Sequence, residues 1–186
     1  MRLRAKFNME IKLSSVEDAL SLSQYYVKNE AHLSLWEPLK GKKDNNLALW
    51  QERLKQRELE QSEKKAAYFL AYNEGSTEII ATCNLTGISY GVFMACYMGY
   101  SVSRQFEGQG FMKKLCSYVT QYAFNDLGLN RVMSNYMPNN LRSENLLVSM
   151  GFVKEGLAKN YLYINGKWED HILTSLVNDE NTYNKN

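Results

Sequence analysis

Two glycines lie close together in the segment SRQFEGQGFMKK, which runs from Ser103 to Lys114 between an apolar run and a run with helical periodicity. Glycine is costly inside helices and strands, but it lets the backbone turn sharply or approach a ligand closely. At a helix start, Gly108 and Gly110 would let several backbone N–H groups point into one concavity, where the helix dipole favours an anion. The segment predicts either a pyrophosphate-binding loop or a plain strand-to-helix connection.

Other phosphate and metal motifs find little support in the chain. GxxxxGK[ST] does not occur, and Lys113 stands where a dinucleotide fingerprint needs its third glycine. The two histidines, His32 and His171, form no HExxH motif, so no metal site is predicted. His171 alternates with apolar residues and is predicted to be a packed structural residue. Glu107 is expected to face solvent, because an inward carboxylate would repel phosphate.

A second spaced series follows the next predicted strand. In MPNNLRSENLLVSMGF, Pro138, Asn140 and Ser143 precede a predicted short helix that ends at Gly151-Phe152. The order strand, glycine loop, helix, strand, PxNxxS, short helix and GF resembles the GNAT superfamily of acetyl-CoA-dependent N-acetyltransferases. Five longer segments are similar to its RimJ-like family of ribosomal-protein alanine N-acetyltransferases: LWEP at 35–38, ACYMGYS at 95–101, EGQGFM at 107–112, NRVMSNYMPNNLRS at 130–143 and EGLAKNYLYINGKWEDHILTSL at 155–176.

The resemblance implies acetyl-CoA as the co-substrate and assigns residues to it. Backbone amides of the glycine loop would bind the pyrophosphate: Gly108, Gln109, Gly110, Phe111 and Met112. The superfamily pattern Gln/Arg-x-x-Gly-x-Gly/Ala keeps only Gly110, with Glu107 in its first position and Met112 in its last. Asn140 would hydrogen-bond the pantetheine, and a backbone N–H near Val102 would bind the thioester oxygen as it becomes an oxyanion.

The resemblance also implies roles at the reacting centre. Ser143 would lie near the sulfur and could protonate the departing thiolate, although a helix N-terminal cap would explain the same residue type. Asn140 has a similar alternative, as a turn residue after the proline. Glu37 is the leading candidate to contact the incoming ammonium, or else a solvated carboxylate beside a helix end. Trp36 would form a wall of the acceptor slot, and Tyr136 would lie nearest the acceptor.

No motif assigns a general base. The predicted strand from Phe93 to Val102 has no carboxylate where many GNAT members carry one, and Leu147 stands where many carry a tyrosine acid. Leu162 occupies the place where some relatives are thought to use a glutamate. An α-amine has a pKa near 7.7–8.0 and lysine one near 10.4, so about a tenth of N-termini but under ~0.1% of lysines are neutral at pH 7. A site without a strong base therefore suits an N-terminal amine.

Composition limits the possible partners and compartment. A net charge of +2, from 22 basic and 20 acidic residues, gives no broad electropositive field, so no nucleic-acid specificity is predicted. The three cysteines lie in apolar runs without a CxxC pair, which is typical of a reducing compartment. The sequence shows neither a signal peptide nor a run long enough to cross a membrane, so we expect a cytoplasmic protein.

The elements that must position these residues are predicted in the order βααβββαβαββ, in a mixed α/β (α+β) domain. The resemblance implies a mostly antiparallel central sheet with helices on both faces. The predicted segments are strands at 6–13, 66–72, 78–88, 93–102, 131–137, 161–164 and 167–177, and helices at 15–29, 44–62, 111–125 and 142–150. One GNAT domain is expected at 1–177, followed by a frayed polar tail at 178–186.

We therefore expect an enzyme that transfers acetyl directly from acetyl-CoA to a protein N-terminal α-amine, without a covalent enzyme intermediate. The resemblance favours the alanine N-terminus of a small-subunit ribosomal protein as the acceptor, and with it an association with the ribosome. One alternative is an acetyltransferase for a small amine, such as a polyamine, an aminoglycoside or an amino acid. The other is a ribosome-associated binding module that keeps the fold with little catalysis.

Overall fold

The computed structural model describes residues 9–38 and 46–179. Its elements follow the predicted order, and each predicted segment that falls within the described residues forms the expected kind of element. They are β1 (Met9–Leu13), α1 (Ala19–Leu33), α2 (Leu47–Ser62), β2 (Ala67–Asn73), β3 (Ile79–Ser89), β4 (Ala95–Val102), α3 (Phe111–Asn125), β5 (Arg131–Met133), α4 (Leu141–Ser149), β6 (Val153–Ile164) and β7 (Lys167–Val177).

The strands form one seven-stranded sheet in the order β1-β2-β3-β4-β5-β7-β6, with β4 in the middle. All neighbours are antiparallel except β4 and β5. Leu22 of α1 and Leu54 of α2 pack with Leu70 on one face, whereas Leu115 of α3 and Leu147 of α4 belong to the core on the other face. The predicted mixed α/β class, with helices on both faces, is confirmed. No helix in the described part of the chain is long and apolar enough to cross a membrane.

The middle of the sheet opens because β4 and β5 pair over only three residues. Beyond that pairing, Ser134 Oγ donates to Met98 O of β4 at 2.9 Å, so this carbonyl points toward the β5 side. On the opposite edge of β4, the N–H of Ser103 donates to β3 at 2.8 Å. Since successive backbone groups of a strand point to opposite edges, the N–H groups of Tyr100 and Val102 also point into the gap on the β5 side.

Two helix ends differ from the prediction. The capping box of Ser15 and Asp18 is present, but α1 continues to Leu33 instead of ending near residue 29. The side chain of Asn46 caps α2 by accepting from the N–H of Leu49 at 2.9 Å. The helix starts at Leu47, with Asn46 as its N-cap, and the predicted cap, Asp44, lies outside the described residues.

Two strands also differ from the prediction. β5 ends at Met133, short of the predicted end at 137, because the following chain turns to β7, where Tyr136 forms an isolated bridge with Ile172. β6 begins at Val153, eight residues before the prediction, since this edge strand is exposed along most of its length and lacks an alternating apolar pattern. Residues 6–8 of the predicted first strand and residues 180–186 of the predicted tail lie outside the described residues. The domain bounds stay a prediction.

Candidate active site

A cleft of about 1030 Å³ occupies the gap between β4 and β5. It extends from the loop after α1, past the open edge of β4, to the glycine loop and the start of α4. Nine of the predicted site residues line it: Trp36, Glu37, Val102, Gly108, Gly110, Met112, Tyr136, Asn140 and Ser143. The side chain of Gln109 instead turns back to donate to the carbonyl of Gln105 at 2.8 Å, and Phe111 is buried against Phe106.

The glycine loop has the backbone shape that its sequence requires. Gly108 has φ 70° and Gly110 has φ 84°, in the left-handed region that glycine adopts without strain. Gly110 is also the N-cap of α3. A Cβ built on either glycine would meet no atom within 4 Å, so open space lies beside both. This arrangement fits both interpretations of the loop. As a strand-to-helix connection, it uses the glycines to turn, and as a pyrophosphate-binding loop, it leaves room for the anion beside the bare backbone at a helix N-terminus.

Glu107 does not face solvent as predicted. Its carboxylate lies 3.3 Å from His32 Nε2, at the end of α1, and 2.5 Å from Arg142 Nη1, at the start of α4. Its side chain is 21% exposed and lines the cleft beside the glycine loop. Arg142 and His32, from separate helices, therefore hold the carboxylate inward, where it offsets the positive charge of Arg142 at the mouth of the loop.

Replacing Glu107 with glutamine is expected to raise the affinity for coenzyme A by about three- to tenfold at low salt. The substitution removes a negative charge beside the phosphate site and frees the Arg142 guanidinium to attract phosphate. Isothermal titration with coenzyme A at 20 and 300 mM salt would measure the gain and its screening. Glu63→Gln is the matched control, since Glu63 pairs with the exposed Lys65 and does not line the cleft. Weaker binding by the Glu107 variant would contradict the prediction and make Glu107 a positioning group for Arg142.

The N-cap of α4 is Asn140, and the Ser143 hydroxyl contacts Tyr100 instead. Asn140 Oδ1 accepts from the N–H of Ser143 at 3.2 Å and so caps α4. The Ser143 hydroxyl is therefore not the N-cap, and its oxygen lies 2.6 Å from the hydroxyl of Tyr100 on β4. Burial raises the pKa of Tyr100, and the hydrogen bond with Ser143 opposes only part of that rise. Tyr100 thus stays protonated at neutral pH and can donate to Ser143 Oγ.

The other end of the cleft is framed by two loops. Trp36 and Glu37 lie in the loop after α1, and the carbonyl of Glu37 accepts from the N–H of Asn165 in the β6–β7 turn at 3.2 Å. Asn165 and Gly166 both have positive φ, as the predicted type I′ turn requires. Burial, aided by the negative charge of Glu37, raises the pKa of Tyr26 to about 12. The acceptor end therefore combines an aromatic wall with a carboxylate.

The sequence analysis did not assign two further polar residues, Tyr100 and His171, to the cleft. Tyr100 lines the cleft. Because it lies two residues before Val102, on the same strand face, its position in the sequence could have predicted this. His171 is buried, as predicted, but its residue also lines the cleft near the acceptor end, together with Tyr136, Leu162 and Ile164. No local pattern shows that a strand at this edge of the sheet turns one histidine toward the open gap.

The described residues form neither a serine-hydrolase elbow nor a metal-binding cluster. The segment GISYG at 87–91 has the letters of a serine-hydrolase elbow, but it closes the β3–β4 hairpin, where Ser89 pairs with Ala95 outside the cleft. The elbow instead needs a strand-to-helix turn. Within residues 9–38 and 46–179, no group of three or more His, Cys, Asp or Glu residues could hold a metal ion.

Comparison with known proteins decides the family. Residues 11–153 match the acetyltransferase (GNAT) domain model. The chain belongs to the GNAT acetyltransferase family. It is 37% identical over 167 residues to the [ribosomal protein uS5]-alanine N-acetyltransferase of Escherichia coli K12, an alignment that covers 90% of this chain and 86% of the relative. The predicted RimJ-like resemblance and the acetyltransferase class are confirmed.

Solved structures confirm the GNAT fold. The ribosomal-protein-S5-alanine acetyltransferase of Vibrio fischeri superposes with a TM-score of 0.90 at 36% identity, over 95% of this chain and 97% of that protein. The Mycobacterium smegmatis RimJ, solved with a coenzyme A disulfide, superposes with a TM-score of 0.87 over 92% of this chain and 83% of that protein. At 24% sequence identity, this superposition shows a shared fold.

Proposed function

We propose that this GNAT enzyme transfers the acetyl group of acetyl-CoA to a protein N-terminal α-amine, with the alanine N-terminus of ribosomal protein uS5 as its acceptor. The observation that carries the proposal is the 37% identity to the uS5-alanine N-acetyltransferase of Escherichia coli, which extends over 90% of this chain. With a ribosomal substrate, the enzyme would work in the cytoplasm, in contact with the ribosome or its unassembled protein.

The cleft supports binding of acetyl-CoA as the co-substrate. Backbone N–H groups of the glycine loop, Gly108 to Met112, would hold the pyrophosphate, since the space beside Gly108 and Gly110 is open. The pantetheine would run along the open edge of β4. Asn140 lines that path, but its Oδ1 already caps α4, which leaves its amide nitrogen for the pantetheine. When bound, acetyl-CoA supplies an activated acetyl thioester.

The residues of this chain would lower the barrier at both ends of the reacting bond. The N–H of Val102, which points into the gap, would stabilise the oxyanion as the amine attacks the thioester carbonyl. Ser143 would protonate the departing thiolate, and Tyr100 would replace the proton through their hydrogen bond. Leu147 is buried in the core and has no ionisable group, so the place where many GNAT members carry a tyrosine acid offers no proton here.

The acceptor would enter between the two loops at the other end of the cleft. Glu37 would attract the N-terminal ammonium, and Trp36 and Tyr136 would contact the first side chain of the acceptor. An alanine side chain is small enough to leave the amine close to the open edge of β4. Proximity then supplies much of the rate, because the amine and the thioester are held together in one cleft.

The test is acetyl-CoA turnover by the purified protein with peptides that begin with the uS5 N-terminal sequence and carry Ala, Ser or Met first. Polyamines and aminoglycosides serve as the competing acceptor class, and mass spectrometry locates the acetyl group. We expect acetylation of the α-amine, fastest for the alanine peptide. Transfer to small amines alone would overturn the acceptor, and coenzyme A binding with no transfer to any amine would favour a ribosome-associated binding module.

A further inference from the structure

We infer that His171 takes the proton from the acceptor ammonium and so serves as the general base of the reaction. The inference rests on the proposed function, because it concerns the same cleft and the same amine. It supplies the base that neither β4 nor any motif provides. It also gives a second role to a residue that the sequence alone assigns to packing.

The hydrogen bond of the imidazole determines which of its nitrogens can accept a proton. His171 Nδ1 lies 3.1 Å from the backbone carbonyl oxygen of Glu169. A carbonyl can only accept, so Nδ1 carries the proton in the neutral ring and Nε2 keeps its lone pair. The ring also packs against Tyr161 of β6, with 5.5 Å between ring centroids. The imidazole is therefore held in the tautomer that a general base requires.

The position of His171 in β7 places it on the acceptor side of the sheet. Its neighbour Ile172 bridges to Tyr136 and packs against the core beneath α3 and α4. Side chains of adjacent strand residues point to opposite faces, so His171 points to the face covered by α1 and α2. His171 lines the cleft together with Trp36 and Glu37, which follow α1. Although His171 is only 5% exposed, its residue therefore reaches the space that an acceptor amine would enter.

The other titratable groups of the cleft are less suited to accept this proton. Tyr26 has its pKa raised to about 12 by burial, and burial also raises the pKa of Tyr136, so both remain protonated at neutral pH. Glu107 is paired with His32 and Arg142 at the cofactor end. Glu37 carries the negative charge that attracts an ammonium, whereas an imidazole is the group whose ordinary pKa suits proton transfer near pH 7.

The proton and electron pairs balance as follows. His171 Nε2 accepts one proton from the ammonium, and the freed nitrogen lone pair forms the C–N bond to the thioester carbonyl carbon. The thiolate receives one proton from Ser143, which Tyr100 replaces, and leaves as the thiol as the C–S bond breaks. The nitrogen loses its second proton in the same step, and that proton restores the Ser143–Tyr100 pair. Each turnover yields the amide, free coenzyme A and one proton, which His171 releases to solvent.

Replacing His171 with asparagine tests the inference, because asparagine can still donate to the Glu169 carbonyl but cannot act as a base. At saturating acetyl-CoA, we expect kcat for an alanine peptide to fall by about 30- to 100-fold at pH 6.5. The deficit should shrink to about threefold or less at pH 9.5, where the α-amine is already neutral in solution. The KM for acetyl-CoA should change little.

The chain offers a matched control in its other histidine. His32→Asn should alter the KM for acetyl-CoA, and its kcat relative to wild type should show no such recovery at high pH. Circular dichroism checks folding, and His171→Gln replaces the asparagine variant if that one does not fold. An active wild type with an unchanged His171 variant at pH 6.5, or a deficit equal at both pH values, would overturn the inference alone. A wild type that acetylates no amine would instead refute the proposed function and the inference with it.

Discussion

Replacing Val102 with proline is expected to lower kcat for peptide acetylation by about 10²- to 10³-fold, because it deletes the N–H that would stabilise the oxyanion. This N–H points away from β3 into the gap beside β5, so proline removes no hydrogen bond of the β3–β4 ladder. Affinity for acetyl-CoA should fall by no more than about fivefold, the value of one neutral hydrogen bond. Steady-state kinetics and titration with acetyl-CoA in the absence of an acceptor would separate the two effects.

Two controls distinguish this effect from damage to the strand. Val102→Ala keeps the N–H and should retain kcat within about threefold. Ser101→Pro removes an N–H on the opposite edge of β4, which pairs with Thr82 of β3, and should destabilise the protein strongly. Equal kcat values for the proline and alanine variants at 102 would remove this N–H from the mechanism.

Replacing Asp18 with alanine is expected to lower the free energy of unfolding by about 2–4 kcal/mol and the melting temperature by roughly 5–15 °C. Asp18 is only 3% exposed. Its carboxylate accepts from the Tyr72 hydroxyl at 2.7 Å and the Ser15 N–H at 2.8 Å, and it pairs with Lys12 at 2.7 Å. The substitution leaves these groups without an acceptor where α1 meets the sheet. The exposed Glu17→Ala is the control and should change stability by less than about 0.5 kcal/mol.

The contribution of Asp18 should depend on pH in a defined direction. Burial by itself raises the pKa of Asp18, but the hydrogen bonds from Lys12, Tyr72 and Ser15 outweigh it and leave the pKa below its ordinary value. A lowered pKa in the folded state means that ionised Asp18 stabilises the protein above about pH 4 and loses this effect as the pH falls further. Urea unfolding at pH 7 and pH 3 should therefore show a smaller difference between wild type and Asp18→Ala at pH 3. A constant difference would contradict the prediction.

Much of the fold could be predicted because local sequence requires it. Gly108 and Gly110 need positive φ, the Asn165-Gly166 pair specifies a tight hairpin turn, and the apolar spacing after Phe111 specifies a helix. These signals depend on residues close together in the chain. They placed the glycine loop at the start of α3, which is the part of the candidate site that the sequence describes best.

The remaining features depend on contacts between distant segments. Glu107 turns inward because His32 and Arg142 arrive from two other helices, and no feature of the loop itself indicates that charge balance. The Ser143–Tyr100 hydrogen bond likewise joins α4 to β4. His171 looked like a core residue because burial alone was predictable, whereas its place beside the cleft depends on how β5 and β7 separate from β4.

The three-residue pairing of β4 with β5 has a consequence for amide hydrogen exchange. The centre of a sheet is usually the slowest part of a protein to exchange, because its amides open only with global unfolding. Here the amides of Tyr100 and Val102 lie in the central strand but face a gap, so they should exchange in the free enzyme like those of an edge strand. Their protection would come from bound acetyl-CoA, which would act as the missing neighbour of the strand, and deuterium uptake at these two amides would then report cofactor occupancy directly.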